Sequence, residues 1–239
     1  MSHSIQTIPL LNLALAFIPV LAVIAIIGKW QLGYKSSLYA VARMLVQLLL
    51  IGYFLTYIFK TESALLVVAV LTVMLFSASW IALRTLSIPR KVLYSRSFLA
   101  IFLGGGAILI LMSQAVLNLT PWYLPSYIIP LAGMIFANSM NSISLAGERI
   151  EAEMGREIPY EKARSIALKA SLIPITNSLL AVGLVSLPGM MTGQILSGVS
   201  PLIAARYQIM VMCMIYGSAG LSAAIFLTLI KRYLNQPKH

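Results

Sequence analysis

Seven stretches of about twenty apolar residues run through this 239-residue chain, and its lysines and arginines fall almost wholly in alternate connections between them. A bilayer core about 30 Å thick requires roughly 20 residues of helix to cross it, and every backbone polar group inside must be paired within the protein. The pattern predicts an all-α, polytopic integral membrane protein with about seven transmembrane helices, near 8–27, 38–59, 63–83, 98–117, 123–146, 177–199 and 208–230. Strands of a β-barrel would alternate polar and apolar residues, and these stretches do not. Only 10% of residues are charged, against about 25% in a soluble domain, so the net charge of +11 needs no nucleic acid as a partner; the lipid bilayer suffices.

Seven spans put the two chain ends on opposite sides, and the positive-inside rule chooses between the two orientations. With the N-terminus outside and the C-terminus cytoplasmic, the inner loops hold fourteen of the seventeen basic residues. The outer side keeps only Lys60 and Arg206, and Arg43 lies within the second span. In a bacterial cell this is the topology of a multi-pass inner-membrane protein. The first twenty residues hold no Lys or Arg, so no n-region of a cleavable signal peptide is present and the first span is expected to be retained.

Several chemistries are excluded. Cys213 is the only cysteine, His3 and His239 lie at the termini, Asp does not occur, and five of the six Glu fall in one inner loop. An intramolecular disulfide and a thiolate cluster cannot form, and no span carries an acid for a proton relay. A Ser/His pair, an H-E-x-x-H zinc site and a nucleotide-binding P-loop do not occur either. The chain is therefore expected to be no enzyme and to hold no cofactor of its own; if ATP energises it, ATP and Mg sit on another subunit.

Polar residues inside apolar spans mark the candidate pathway. Arg43 and Gln47 follow Tyr39 at successive i, i+4 steps on one face of the second span. Arg43 either extends its head back to the inner interface, or meets a buried partner, or lines a route for substrate. In the fifth span Asn138, Asn141 and Ser142 gather toward the inner end, for packing against a neighbouring helix or for substrate contact. In the sixth, Pro188 and Gly189 predict a kink near the midplane, and Gly189-x-x-x-Gly193 offers a close-contact surface, across a dimer interface among other options. Met190 and Met191 are soft thioether donors or ordinary apolar filler, and no metal ligands are assigned.

The inner loop from 147 to 176 is too long for a plain connection and carries five Glu against five basic residues. From Pro159 through Leu172, stopping near Pro174, it reads as an amphipathic helix at the inner membrane face. Arg149 with Glu153, and Glu161 with Arg164, stand at spacings that support helices on a solvated face. That helix is either simply solvated or docks a cytoplasmic partner, with Glu148, Arg149, Glu161 and Arg164 as candidate coupling residues.

The run Gly183-Leu-Val-Ser-Leu-Pro-Gly-Met-Met-Thr-Gly193, followed by Gly198, Pro201, Ala205 and Tyr207-Gln-Ile-Met-Val211, resembles the hallmark of the FetB family of bacterial ABC permeases. Ala42-Arg43-Met-Leu-Val-Gln47 with Gly52-Tyr53, and Ile129-Pro-Leu-Ala-Gly-Met-Ile135 with Asn138 and Met140, are similar to that family's second and fifth spans. The resemblance implies a permease that works with a separate cytoplasmic ABC ATPase, assigned to iron export in bacteria, with plant relatives linked to aluminium tolerance. It leads us to expect a single permease domain over 1–239, paired as a homodimer. The alternatives are an ATP-independent small-solute carrier, disfavoured by the lack of intramembrane acids and of inverted repeats, and a membrane scaffold or sensor.

Overall fold

The computed structural model describes residues 8–59 and 63–234, so Lys60, Lys238, His3 and His239 lie outside the described residues. It is helical throughout, in order α1 (Leu10–Leu15), α2 (Phe17–Lys29), α3 (Tyr34–Ile58), α4 (Ala64–Ala82), α5 (Arg90–Ala100), α6 (Gly106–Ile110), α7 (Pro125–Met154), α8 (Tyr160–Ala181), α9 (Gly189–Leu196) and α10 (Pro201–Leu234). Two π-helical segments, Ile101–Gly105 and Leu111–Val116, run α5 and α6 into one rod. Six helical stretches are long and apolar enough to cross a membrane: Leu10–Lys29, Tyr34–Ile58, Ala64–Ala82, Arg90–Val116, Pro125–Met154 and Pro201–Leu234.

The sixth expected span is the exception. Instead of one kinked helix over 177–199, α8 stops at Ala181, the chain turns through 182–188, and the eight-residue α9 follows. The turn is tight: Val182 bridges to Ser186, and Gly183 adopts φ +83°, a left-handed conformation that glycine takes at no steric cost. Pro188 sits directly before α9, where its missing N–H is harmless, so there is no helix for it to kink. The stop expected at Pro174 is also corrected, because α8 runs through it to Ala181. Pro174 removes one backbone donor from α8, and tertiary packing tolerates that loss.

The chain divides into two compact units, Met1–Thr61 with Leu196–Gly198, and Glu62–Ile195 with Val199–His239. In the first, α2 and α3 form a hairpin closed at Gly33, whose φ of +80° makes the reversal, with Gly28 set against the Tyr34 ring. Among the described residues of α1 to α3 only Ile58 is buried.

The second unit holds the core. There α7 packs on α4, α8 and α10, and α10 packs on α8 and on the α5 rod. Ile135, Ile143 and Ile150 of α7 and Phe226, Leu227 and Ile230 of α10 are almost completely buried. An aromatic ladder of Phe76, Tyr94, Phe98 and Phe102 ties α4 to the α5 rod. Small residues allow the closest approaches. Ser222 donates to Ser139 Oγ at 3.0 Å, and Ser139 donates to the Ser218 carbonyl at 3.2 Å, so α7 and α10 are joined by a chain of buried hydroxyls. With its 30 residues α7 is about 45 Å long, longer than the hydrocarbon core, and its last turns absorb the first part of the loop expected from 147.

Candidate functional site

Helix α8 runs antiparallel to α7 and α10. Its first turn meets the end of α10 through Glu161 and Lys231, and its last turns face the start of α10 around Gln208. Where α8 ends and the chain turns away, the second unit keeps a cavity of about 330 Å³. Its walls are Met134 and Asn138 of α7, Ile175 and Ser178 of α8, and Gln208, Val211, Met212 and Ile215 of α10. The broken segment supplies Val182, Ser186, Pro188 and Met190. A second cavity of about 120 Å³ shares Asn138, Ile175 and Ser178 and continues along Asn141, Ser142, Ser171 and Pro174.

The polar groups on these walls are incompletely paired. Gln208 is 5% exposed, yet its Oε1 has no hydrogen-bond partner, and the buried Ser142 Oγ has none either. Buried polar atoms are almost always paired, and leaving one unpaired costs about 1–3 kcal/mol. Asn138 Nδ2 donates to the Met134 carbonyl at 2.8 Å, along its own helix and not to a neighbour, which leaves its Oδ1 available. Ser178 donates to the Pro174 carbonyl at 3.0 Å, so its lone pairs remain.

Of the sequence-predicted pathway residues, the structure brings Asn138, Pro188 and Met190 to the larger cavity and Asn141 to the smaller one. Gly189 and Met191 stand on α9 outside both linings, and a Cβ built on Gly189 or Gly193 meets nothing within 4 Å. Arg43 and Gln47 are exposed on α3 in the first unit, and neither cavity includes them. Sequence reasoning missed Gln208, Ser178, Met134 and Met212. Gln208 carried a readable signal, as the one amide in the long apolar helix α10.

At the opposite end of the same helices lies a polar clamp. Lys231 donates to Glu161 Oε1 at 2.6 Å, Arg164 pairs with Glu161 at 2.7 Å, and Tyr160 donates to the Leu227 carbonyl with the Lys231 ammonium 5.7 Å over its ring. Burial pushes the Tyr160 phenol up to about 12. Glu151 accepts from the Ser87 and Ile88 amides at 2.9 and 3.3 Å, and Ser144 donates to the Ala82 carbonyl at 2.7 Å, which fastens the α4–α5 connection to α7. Arg149 pairs with Glu153 at 2.6 Å as its spacing predicts, but Glu153 is buried, not solvated.

The hydrogen bond from Lys231 holds the Glu161 carboxyl below the ordinary carboxylate range. A depressed folded-state pKa gives stability that is present above the unfolded value and lost as pH falls through the folded one. Glu161→Gln is therefore expected to lower the melting temperature at pH 7 and to match the wild type in acid. Melting curves of both proteins between pH 3 and 7 read this directly.

Among the described residues no group of three His, Cys, Asp or Glu is placed to hold a metal ion. Six helices long and apolar enough to cross a membrane define a multi-pass membrane protein. The chain belongs to the family described as "Uncharacterised protein family (UPF0014)", whose profile matches residues 10–160 and 156–234. It is 39% identical over 229 residues to the "UPF0014 membrane protein slr1647" of Synechocystis, covering 87% of each chain. To the "Probable iron export permease protein FetB" of Escherichia coli it is 35% identical over 244 residues, covering 95% of this chain and 93% of the other. To "Protein ALUMINUM SENSITIVE 3" of Arabidopsis thaliana it is 31% identical over 229 residues, covering 86% and 82%. No solved structure matches it.

Proposed function

We propose that this chain is the transmembrane permease subunit of an ABC transporter that exports a metal ion, iron in the first instance, across the inner membrane. Two chains form the pathway, and a separate cytoplasmic ATPase hydrolyses ATP with Mg. The carrying observation is the near full-length similarity to a probable iron export permease, joined to a cavity beside the 182–188 turn that is lined by Gln208 with its unpaired Oε1.

The geometry supports a mechanism of transmission. Helix α8 has 22 residues and is about 33 Å long, with the clamp at one end and the cavity wall at the other. A displacement at Tyr160 and Glu161 is carried along it to Ser178 and the 182–188 turn. ATPase closure against the inner ends of α7 and α8 then alters the cavity without substrate contacting ATP. Glu161 holds this lever to Lys231 of α10, Arg164 pairs with Glu161 within α8 and Arg149 with Glu153 within α7, while Glu148 and Lys162 stay exposed for docking. Because Tyr160, Ala163, Ala167 and Ser171 of α8 are buried, docking is tested at the exposed charges and not by removing the helix.

Reversing the two exposed charges, Glu148→Lys with Lys162→Glu, is expected to abolish ATPase co-purification while leaving the melting temperature unchanged. In proteoliposomes the intact complex should hydrolyse ATP faster with ferrous iron on the side that bears the ATPase. Iron movement without ATP would point to a carrier, and neither binding nor movement to a scaffold.

The proposed sides are checked with Lys162→Cys in a Cys213→Ser background. An impermeant thiol reagent is expected to leave intact cells unlabelled and to label opened ones. Labelling of intact cells would invert the topology.

A further inference from the structure

Helix α4 ends at Ala82 and the α5 rod begins at Arg90, so both meet the membrane boundary there, and the aromatic ladder between them terminates on cations. Arg90, Tyr94, Phe98 and Phe102 follow at i, i+4 steps along the rod, about 18 Å from first to last. From α4, Phe76 stacks on Tyr94 and Phe98 with ring centroids 6.4 and 5.1 Å apart, and Trp80 meets Tyr94 edge-on at 5.8 Å. Phe76, Trp80 and Phe102 nevertheless stay exposed, and a ring exposed within a span meets lipid. The cations lack counter-charges. The Arg90 guanidinium lies 5.4 Å over the Trp80 ring, and the exposed Lys91 follows it in the chain. Among the described residues neither pairs with a carboxylate, whereas Arg149, Arg156, Arg164 and Lys231 all pair with Glu. Glu151 reaches the same connection, but its two oxygens accept from the Ser87 and Ile88 amides.

We propose that this stripe binds one anionic glycerophospholipid, with its phosphate on Arg90 and Lys91 and an acyl chain laid along the rings toward Phe102. A guanidinium stacked on an aromatic face keeps its N–H edge for an oxyanion, and phosphate is the oxyanion that a bilayer surface supplies at this depth. The length agrees, because one leaflet is half of a hydrocarbon core about 30 Å thick, or about 15 Å. A zwitterionic headgroup carries its own ammonium and offers these cations less. An acidic protein segment would neutralise Arg90 and Lys91 but would leave uncovered the rings that continue into the span. The site shares no residue with either cavity or with the clamp at Glu161. The inference rests on the chain being a membrane protein and is independent of its cargo; the proposed orientation places the lipid in the inner leaflet.

The test uses Trp80 as the reporter, in the full chain with Trp30→Phe and Trp122→Phe, which leaves it the one tryptophan. In phosphatidylcholine vesicles, phosphatidylglycerol brominated on its acyl chains is expected to quench Trp80 half-maximally at a mole fraction at least fivefold lower than brominated phosphatidylcholine does. Arg90→Gln with Lys91→Gln should erase that difference at an unchanged melting temperature in phosphatidylcholine. Arg90→Lys keeps the charge and should retain most of it, and Arg232→Gln, a basic residue outside the stripe, should retain all of it. Equal quenching by the two lipids in the parent, or a preference that survives the double substitution, overturns the proposal. So does a preference lost equally in Arg232→Gln, which would mean a diffuse surface charge and no site. If the double variant lost ATPase co-purification with its lipid preference intact, the cations would dock protein, and the lipid site would fall while the permease reading stood.

Discussion

Arg149→Ala is expected to lower the unfolding free energy by about 2–4 kcal/mol, because it strips the main partner from a carboxylate that water cannot reach. The Glu153 side chain is 3% exposed, and its Oε1 lies 2.6 Å from Arg149. The remaining cation, Arg156, is 3.6 Å away and itself 69% exposed, so it recovers only part of the loss. Glu148→Ala, one residue earlier on the exposed face of α7, should stay within about 0.5 kcal/mol of wild type. The double variant Arg149→Ala, Glu153→Leu should regain most of the stability, since removing both partners leaves no buried charge. Denaturant unfolding of the wild type and these three variants in detergent is the measurement. Equal stability of Arg149→Ala and Glu148→Ala would show that Glu153 is hydrated, and Arg149 would return to the docking surface.

That comparison also shows what could be read in the chain before its structure. The spacing of Arg149 and Glu153 revealed their pairing, because i, i+4 neighbours share a helix face whatever surrounds them. It could not reveal the burial of Glu153, which depends on how the end of α7 is covered by other elements. The helices near 63–83 and 123–146 were legible because an apolar run of the right length in a membrane has almost no other solution. The break at 182–188 was half legible. Pro188 and Gly189 announced an interruption but predicted a kink, whereas the full turn that forms rests on the Val182–Ser186 bridge and the packing of α8. The cavity was the least legible part. Asn138 drew notice as an amide in an apolar span, whereas Ser178, Met134 and Met212 look like filler until three elements bring them to one wall.

The three consecutive glycines of the α5–α6 rod should respond to alanine in three different ways. A Cβ on Gly104 would lie 2.7 Å from both the backbone nitrogen and the Oγ of Ser222, closer than packed atoms come, and backbone cannot swing aside as a side chain does. Gly104→Ala is therefore expected to cost about 1–3 kcal/mol, and Gly104→Val to prevent folding in most of the protein. On Gly105 the nearest atom is the Ile135 Cγ2 at 3.0 Å, a side-chain methyl that yields by a few tenths of an ångström, so Gly105→Ala should be milder. Gly106 faces open space, and there alanine should gain up to about 0.5–1 kcal/mol from its better helix propensity. The order of melting temperatures, Gly106→Ala above wild type, Gly105→Ala slightly below and Gly104→Ala lowest, is the readout. The consequence reaches the cavity because Ser222 donates to Ser139, and these hydroxyls join α10 to α7. Those two helices carry Gln208 and Asn138, so a rod pushed away at Gly104 moves both walls. If Gly104→Ala melted with the wild type, the contact between the rod and α10 would be looser than described here, and α10 would be free to shift against α5 during transport.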